Sequence, residues 1–270
     1  MRLTAGFADL PGARLYYEQS GEGHPLVLNH AGITDSRMWD DQVEEFARHY
    51  RVIRWDVRGY GGSSLPAGPF AAHEDLHGLL EHLGVESAHM VGLSMGGGIA
   101  IDFALRYPDR VVGLIPVASA LSGYNTPPNP ILSELREAVA RGDAASAAEL
   151  QAKRWVDGPH RAQGQVDARV REKVKEMCRG ALGAWQNTLR TLDPPALGRL
   201  GEIRARTLVI EGDQDVPYIG DIASRLVSEI PNARKAVIAG VAHMVNMERP
   251  REFNRLVLDF LKGLGGPSRA

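Results

Sequence analysis

The chain has 270 residues, 44% of them hydrophobic, enough for one large domain or two small ones with a sizeable core. Its 31 Lys and Arg residues against 33 Asp and Glu residues give a formal net charge of −2, so no basic excess favours nucleic acid or an anionic membrane. The single cysteine, Cys178, fits a reducing compartment. No signal-peptide core and no bilayer-length apolar run is present. We expect a cytoplasmic globular protein without nucleic-acid or membrane partners, and homo-oligomer formation is left open.

The first half of the chain alternates predicted strands and helices. Residues 14–18 and 26–28, joined by the turn-rich stretch 20–25, predict a hairpin. Parallel strands need helical crossovers, so the alternation that follows predicts a mostly parallel, doubly wound sheet covered on both faces. The predicted helices span 35–50, 71–83 and 96–107, and the predicted strands span 51–57, 88–93 and 111–118.

The middle of the chain has a different texture. Residues 121–198 contain no convincing strand and are rich in Ala, Arg, Glu, Lys and Leu, which predicts a helical insertion. Alternation then resumes, with predicted strands at 207–211 and 235–238 and predicted helices at 220–230 and 251–264. We therefore predict an α/β core formed by residues 1–120 and 199–270, with a helical cap inserted after the sixth core strand.

One short motif suggests a nucleophile. Gly92-Leu93-Ser94-Met95-Gly96 matches G-x-S-x-G, in which a serine occupies a sharp turn between a strand and a helix. The match alone is weak in a chain with 30 glycines, but a buried strand precedes it and a glycine-rich helix start follows. The alternative is an ordinary serine N-cap between two elements.

A serine hydroxyl needs a base, and the base needs an orienting acid. His243 and Asp215 each follow a predicted strand after the insertion. Because the carboxyl ends of parallel strands converge on one crevice, these side chains can meet Ser94 there. Asp213 competes for the acid role, although we favour it as a turn residue. Asp56 ends another strand, and we expect it to pair with Arg58 or nearby backbone.

These motifs, in the order Ser, Asp, His, resemble the serine-nucleophile branch of the α/β-hydrolase family over about residues 15–260, apart from the insertion. The resemblance implies that Ser94 is the nucleophile, His243 the base and Asp215 the acid, with neither cofactor nor metal. Three further stretches carry it: His30-Ala31-Gly32, the turn Asp56-Val57-Arg58-Gly59-Tyr60-Gly61-Gly62-Ser63, and Glu248-Arg249-Pro250.

The same resemblance implies an oxyanion hole formed by the backbone N–H groups of Gly32 and Met95. Ala31 stands where the family usually has glycine, so Ala31, Gly32 or Ile33 could supply the loop donor. Substrate contacts are expected from Ile33 and from aromatic residues of the cap, although aromatics on helices also serve simply to pack the cap on the core. The cap aromatics concerned are Tyr124, Trp155 and Trp185.

A zinc site is the main competing motif. His73-Glu74-Asp75-Leu76-His77 matches H-E-x-x-H on a predicted helix. The metzincin continuation of this zinc motif needs a third ligand, a histidine, six residues after His77. This chain has Leu83 there, and His82 misses that position by one. We interpret the two histidines as partly exposed polar residues beside a leucine stripe.

A serine at the nucleophile position excludes the dehalogenases and epoxide hydrolases of this family, which use aspartate. Residues 29–39 resemble the corresponding loop of enol-lactonases and small carboxylesterases. We therefore expect a small-molecule ester or lactone as substrate, cleaved through an acyl-enzyme on Ser94. The alternatives are a C–C bond hydrolase or a perhydrolase on the same triad, or a slow-turnover ligand sensor on a hydrolase scaffold.

Overall fold

A computed structural model describes residues 3–162, 164–181, 184 and 189–264. Its main feature is one eight-stranded sheet made from β1 (Thr4–Leu10), β2 (Ala13–Ser20), β3 (Pro25–Asn29), β4 (Arg51–Trp55), β6 (Ala88–Leu93), β7 (Val111–Val117), β9 (Arg206–Gly212) and β10 (Ala233–Ile238). The strand order is β1-β2-β4-β3-β6-β7-β9-β10. Only the β1–β2 and β2–β4 pairs are antiparallel, so the mostly parallel sheet is confirmed.

The predicted hairpin is placed wrongly. β2 forms its hairpin with β1, a strand that the sequence analysis did not predict, and its other neighbour is β4. β3 instead lies between β4 and β6, parallel to both. The physical reason is burial: residues 26–29 and all of β6 are buried, as expected for central parallel strands, whereas β1 is an exposed edge strand whose apolar alternation is weak.

Helices cover both faces of the sheet. Leu76, Leu79 and Phe103 belong to the apolar core on one face, and Phe46 and Phe253 belong to the core on the other. None of the described helices is both long and apolar enough to cross a membrane. The helices of the core are α1 (Asp40–Phe46), α2 (Ala72–His82), α3 (Met95–Arg106), α7 (Pro217–Glu229), α8 (Val245–Glu248) and α9 (Pro250–Lys262).

The segment between β7 and β9 is mainly helical. It contains α4 (Leu132–Ala140), α5 (Ala144–Ala152), one turn of π-helix (Lys153–Asp157) and α6 (Ala168–Gly180). It also contains a two-residue strand, β8 (Leu189–Arg190), which pairs with β5 (Phe70–Ala71) and which the sequence analysis missed. Two residues are too few for a side-chain period to be visible in the sequence. β7 is the sixth strand of the large sheet along the chain, and the cap boundaries themselves stay a prediction.

A buried carboxylate joins the two ends of this insertion. Asp102 on α3 accepts hydrogen bonds from the Ser122 hydroxyl at 2.7 Å and from the Leu192 N–H at 3.0 Å. The Ser122 hydroxyl oxygen in turn accepts the Ala196 N–H at 2.8 Å. Burial raises the pKa of Asp102 despite these bonds. The insertion therefore leaves and re-enters the core at one point, over α3.

Two adjacent histidines lie near the amino ends of the central strands. His24 and His89 have ring centroids 4.6 Å apart, and neither His24 Nε2 nor His89 Nδ1 has a hydrogen-bond partner among the described residues. Burial lowers the pKa of His89 to about 3, with a further contribution from His24. Burial also lowers the pKa of His24. Both imidazoles are therefore neutral in the folded protein at neutral pH.

Acid is expected to destabilise the protein partly through His89. The unfolded chain protonates this imidazole below about pH 6.5 and the folded chain does not, so stability falls as the pH drops from there toward 3. From pH 6.5 to pH 4, the lowered pKa of His89 should reduce the free energy of unfolding by about 3 kcal/mol. Urea unfolding of wild type and His89→Gln at both pH values measures it, with His49→Gln, at an exposed histidine, as control. An equal loss in all three proteins would contradict the assignment to His89.

Candidate active site

Ser94 occupies a strained turn between β6 and α3. Its φ is 55° and its ψ is −115°, a backbone region that L-residues rarely adopt. The tight path needs small neighbours: a Cβ on Gly92 would lie 2.1 Å from the Gly96 carbonyl oxygen, and a Cβ on Gly96 would lie 2.2 Å from the Asn29 carbonyl oxygen. The glycines of the G-x-S-x-G motif are thus required by close backbone contacts, and the turn presents Ser94 at the carboxyl end of β6.

His243 and Asp215 are in direct contact. His243 lies in the loop between β10 and α8, Asp215 follows β9, and His243 Nδ1 is 2.6 Å from Asp215 Oδ2. The other carboxylate oxygen of Asp215 accepts the Val216 N–H at 2.7 Å. The side chains are buried, at 2% and 3% exposure. An ionised Asp215 holds the imidazole hydrogen on Nδ1, which leaves the Nε2 lone pair available for another partner.

Ser94 and His243 share one cavity of about 240 Å³. Ile33 and Trp155, predicted substrate contacts, also line it, whereas Tyr124 is half-buried against the core and is not among its lining residues. Trp185 lies outside the described residues. Two amide side chains of the lining, Asn129 and Gln151, were not predicted from the sequence. The described lining comprises Ala31, Gly32, Ile33, Ser94, Asn129, Gln151, Trp155 and His243.

Trp155 contacts the imidazole directly. It lies on the π-helical turn, and its ring centroid is 4.4 Å from that of His243 at an interplanar angle of 40°. Its indole N–H donates to Gln151 Oε1 at 3.0 Å. The spacing of four residues between Gln151 and Trp155 is the one signal in the sequence that could have indicated this bond. The insertion therefore supplies a wall of the cavity and covers the imidazole.

The contacts of the loop after β3 bear on which of its backbone N–H groups can donate to an oxyanion. The Ala31 N–H donates to the sulfur of Met38 at 3.3 Å, so it is engaged away from the cavity. Gly32 faces Met95, because a Cβ on Gly32 would lie 3.6 Å from the Met95 Cβ. Met95 is the first residue of α3, so its N–H has no acceptor within the helix. Gly32 and Met95 are thus adjacent beside Ser94, and their role as donors stays a proposal.

The other carboxylates considered have structural partners. Asp213 accepts hydrogen bonds from the Gly240 N–H at 2.7 Å and from Gln214 Nε2 at 3.0 Å. Asp56 accepts the backbone N–H groups of Ser36 and Gly62, at 2.7 and 2.8 Å. Of the two partners expected for Asp56, nearby backbone is confirmed and Arg58 is wrong, because Arg58 pairs with Asp75 at 2.6 Å. That guanidinium compensates a carboxylate buried on α2, which the sequence pattern did not reveal.

His30 joins two loops beneath the cavity. Its Nδ1 lies 2.8 Å from the Ala31 carbonyl oxygen, and its Nε2 accepts the Val57 N–H at 3.0 Å. The imidazole is fully buried. Both ring nitrogens are thus used in holding the backbone that carries Ala31 and Gly32.

The H-E-x-x-H histidines lie on α2, where His77 is half-buried as expected but His73 is buried, so its predicted partial exposure is wrong. His77 stacks on Tyr107 with ring centroids 4.3 Å apart, and its Nε2 is 3.3 Å from Arg110 Nη1. No group of three or more His, Cys, Asp or Glu side chains among the described residues could hold a metal ion. Burial raises the pKa of the Cys178 thiol to about 12, so it stays protonated near neutral pH.

The strand order of the sheet, the strained turn at Ser94 and the His243–Asp215 pair together define an α/β hydrolase. A model of the alpha/beta hydrolase fold family matches residues 24–250. The chain therefore belongs to the α/β-hydrolase family, and it is a hydrolase enzyme.

Individual relatives cover nearly the whole chain. A 2-hydroxy-6-oxononadienedioate/2-hydroxy-6-oxononatrienedioate hydrolase from Burkholderia vietnamiensis is 32% identical over 92% of this chain and 91% of its own. The crystal structure of the enol-lactonase from Burkholderia xenovorans has a TM-score of 0.80 and 26% identity, over 95% of this chain and 100% of that one. A thermophilic esterase from Thermogutta terrifontis has a TM-score of 0.78 and 27% identity, over 98% and 99%.

Proposed function

We propose that this protein is a serine hydrolase that cleaves a compact carboxylic ester or lactone through an acyl-enzyme on Ser94. The observation that carries the proposal is the 2.6 Å contact between His243 and Asp215, together with the shared cavity of His243 and a strained Ser94. Nucleophile, base and orienting acid are the three groups that acyl transfer requires.

In the proposed mechanism, Ser94 Oγ attacks the substrate carbonyl carbon while His243 Nε2 removes the hydroxyl proton. The N–H groups of Met95 and Gly32 donate to the oxyanion of the tetrahedral intermediate, and Asp215 stabilises the imidazolium. The intermediate collapses, and the alkoxide leaves with the proton from His243. A water molecule then attacks the acyl-enzyme by the same proton transfers and releases the acid.

The volume and the lining of the cavity favour a substrate whose reacting group is small and neutral. Beyond Ser94 and His243, its polar side-chain groups are the amides of Asn129 and Gln151 and the indole N–H of Trp155, and no Lys or Arg is among its described lining residues. A volume of about 240 Å³ lies below that of a site for a drug-sized ligand. The similarity to an enol-lactonase and an esterase supports the same substrate class.

A C–C bond hydrolase is the second candidate. The Burkholderia vietnamiensis relative favours it, because a 2-hydroxy-6-oxo-dienedioate contains ketone and carboxylate groups and no ester. Ser94 and His243 could serve this chemistry as well, since a ketone is also attacked at its carbonyl carbon. A carboxylate near Ser94, however, would meet no cationic side chain of the described cavity lining.

A substrate panel separates the two candidates. Short p-nitrophenyl esters, small lactones and vinylogous diketone acids are each given to wild type and to Ser94→Ala. We expect wild type to turn over esters or lactones with the larger kcat/KM and the variant to lose that turnover. Preference for the diketone acids would establish the C–C hydrolase instead. Very slow turnover of all three classes by a protein that a serine-directed phosphonate labels rapidly would indicate a ligand sensor.

A further inference from the structure

Arg161, an arginine of the insertion, forms several hydrogen bonds and an ion pair with the segment from Gly240 to Glu248, which carries His243. Arg161 pairs with Glu248 through both guanidinium Nη atoms, at 2.5 and 3.1 Å, and its Nη1 also donates to the Gly240 carbonyl oxygen at 3.1 Å. Both side chains are buried, at 8% and 6% exposure. Removing either partner therefore leaves a buried charge without compensation.

The residues that Arg161 contacts lie before and after His243 in the sequence. Gly240 precedes His243 by three residues, and Glu248, the last residue of α8, follows it by five. Glu248 also accepts the N–H of Ala242, the residue immediately before His243, at 3.2 Å. The ion pair thus fixes the backbone on which the imidazole is carried.

The same guanidinium binds the turn that carries Trp155. Arg161 Nε donates to the Asp157 carbonyl oxygen at 2.9 Å, and Nη2 donates to the Val156 carbonyl oxygen. Val156 and Asp157 directly follow Trp155 on the π-helical turn. Arg161 is therefore the group that connects the backbone beside Trp155 with the backbone beside His243, whose rings are in contact.

Close packing beside the ion pair leaves little freedom for adjustment. Gly158 has a φ of +74°, and a Cβ there would lie 2.8 Å from the Cβ of Ala242 and 2.7 Å from the Gln214 carbonyl oxygen. The methyl group of Ala242 thus packs where residue 158 has no side chain. A glycine in the insertion allows the two backbones to approach at this point.

Other ion pairs between the insertion and the core are far more open. Arg37 and Glu176 are 47% and 66% exposed, and Lys173 and Asp40 are 33% and 42% exposed. Solvent-exposed pairs contribute little to geometry or stability. Of these three ion pairs among the described residues, Arg161–Glu248 is the buried one.

We propose that Arg161 and Glu248 are positioning residues for catalysis, which hold the His243 imidazole between Asp215 and Trp155. The inference rests on the proposed role of His243 as the base. Neither residue lines the Ser94 cavity, so the pair acts through the His243 loop and the Trp155 turn. Its loss lets the imidazole leave the line between acid and nucleophile, and misplacement of this kind lowers turnover by about 10- to 100-fold.

Variants of the pair test the proposal. Arg161→Met and Glu248→Gln are compared with Arg169→Gln, which removes an exposed arginine paired with Asp167 on the same insertion. We expect the first two to lower both kcat and the rate of Ser94 labelling by a serine-directed phosphonate about 10- to 100-fold, with little change in KM. Arg161→Lys, which keeps the charge but fewer donors, should recover part of the loss. Arg169→Gln should leave both rates near wild type.

Two further measurements make the test decisive. Circular dichroism and thermal unfolding establish that each variant is folded at the assay temperature, and if Arg161→Met is not, Arg161→Lys and Glu248→Gln take its place. The double variant should lose no more activity than the worse single one, because both act through one loop. Wild-type kcat and labelling rates in folded variants, with only a lower Tm, would overturn the proposal. His243→Gln keeps the two proposals apart, since its full activity would refute His243 as the base itself.

Discussion

Replacing Ser94 with alanine is expected to lower kcat by about 10⁴- to 10⁶-fold on any substrate that the wild type turns over. The change removes the atom that forms the acyl-enzyme, and no other hydroxyl is among the described residues that line the cavity. Alanine keeps the strained backbone at this position without adding bulk, so the fold should be retained. Steady-state kinetics with a p-nitrophenyl ester or lactone measures the loss.

A nearby serine provides the control. Ser119 is buried near the start of α3, where a Cβ on Gly97 would lie 2.4 Å from the Ser119 Oγ. Ser119 is not among the described residues that line the Ser94 cavity. Ser119→Ala should therefore retain turnover. If Ser94→Ala were folded by circular dichroism and retained most of the wild-type kcat, the nucleophile would be another group.

Asp215→Asn is expected to lower kcat by about 10⁴-fold with little change in fold. The amide has nearly the shape of the carboxylate but cannot stabilise an imidazolium, and its NH₂ group can favour the tautomer with the hydrogen on Nε2. His243 would then have no lone pair directed toward Ser94. The pH dependence and size of kcat in this variant, against wild type, measure the contribution of the acid.

Asp213→Asn is the matched control, because it makes the same chemical change two residues away. Its carboxylate accepts the Gly240 N–H, a bond that the amide oxygen of asparagine can also accept. We expect turnover to stay near wild type and stability to fall slightly. The reverse pattern, with Asp213→Asn inactive and Asp215→Asn active, would assign the acid role to Asp213.

The strained serine turn and the positions of the strands around it could be predicted because their signals are local. The buried run of β6, the glycines at 92 and 96, and the polar residues after β9 and β10 all lie within short segments. β1 could not be predicted in the same way. It is an edge strand with a mixed burial pattern, so its side chains lack the alternation by which a half-buried strand is recognised in a sequence.

The covering of the active site depends on contacts between residues far apart in the sequence. Composition predicted helices between β7 and β9, yet nothing local indicates that Trp155 would lie on His243 or that Arg161 would reach Glu248, 87 residues away. A π-helical turn inserts an extra residue into the helical repeat, so the periodicity that predicts which face is buried fails there. Long-range ion pairs of this kind leave no periodic pattern in the sequence.

Intact-protein and peptide mass spectrometry after treatment with a serine-directed phosphonate tests directly whether Ser94 is a nucleophile activated by His243 and Asp215. We expect one covalent adduct per chain, located on Ser94, which forms rapidly in wild type and much more slowly in His243→Gln and Asp215→Asn. Absence of an adduct, an adduct on another residue, or equal labelling rates in all three proteins would contradict it.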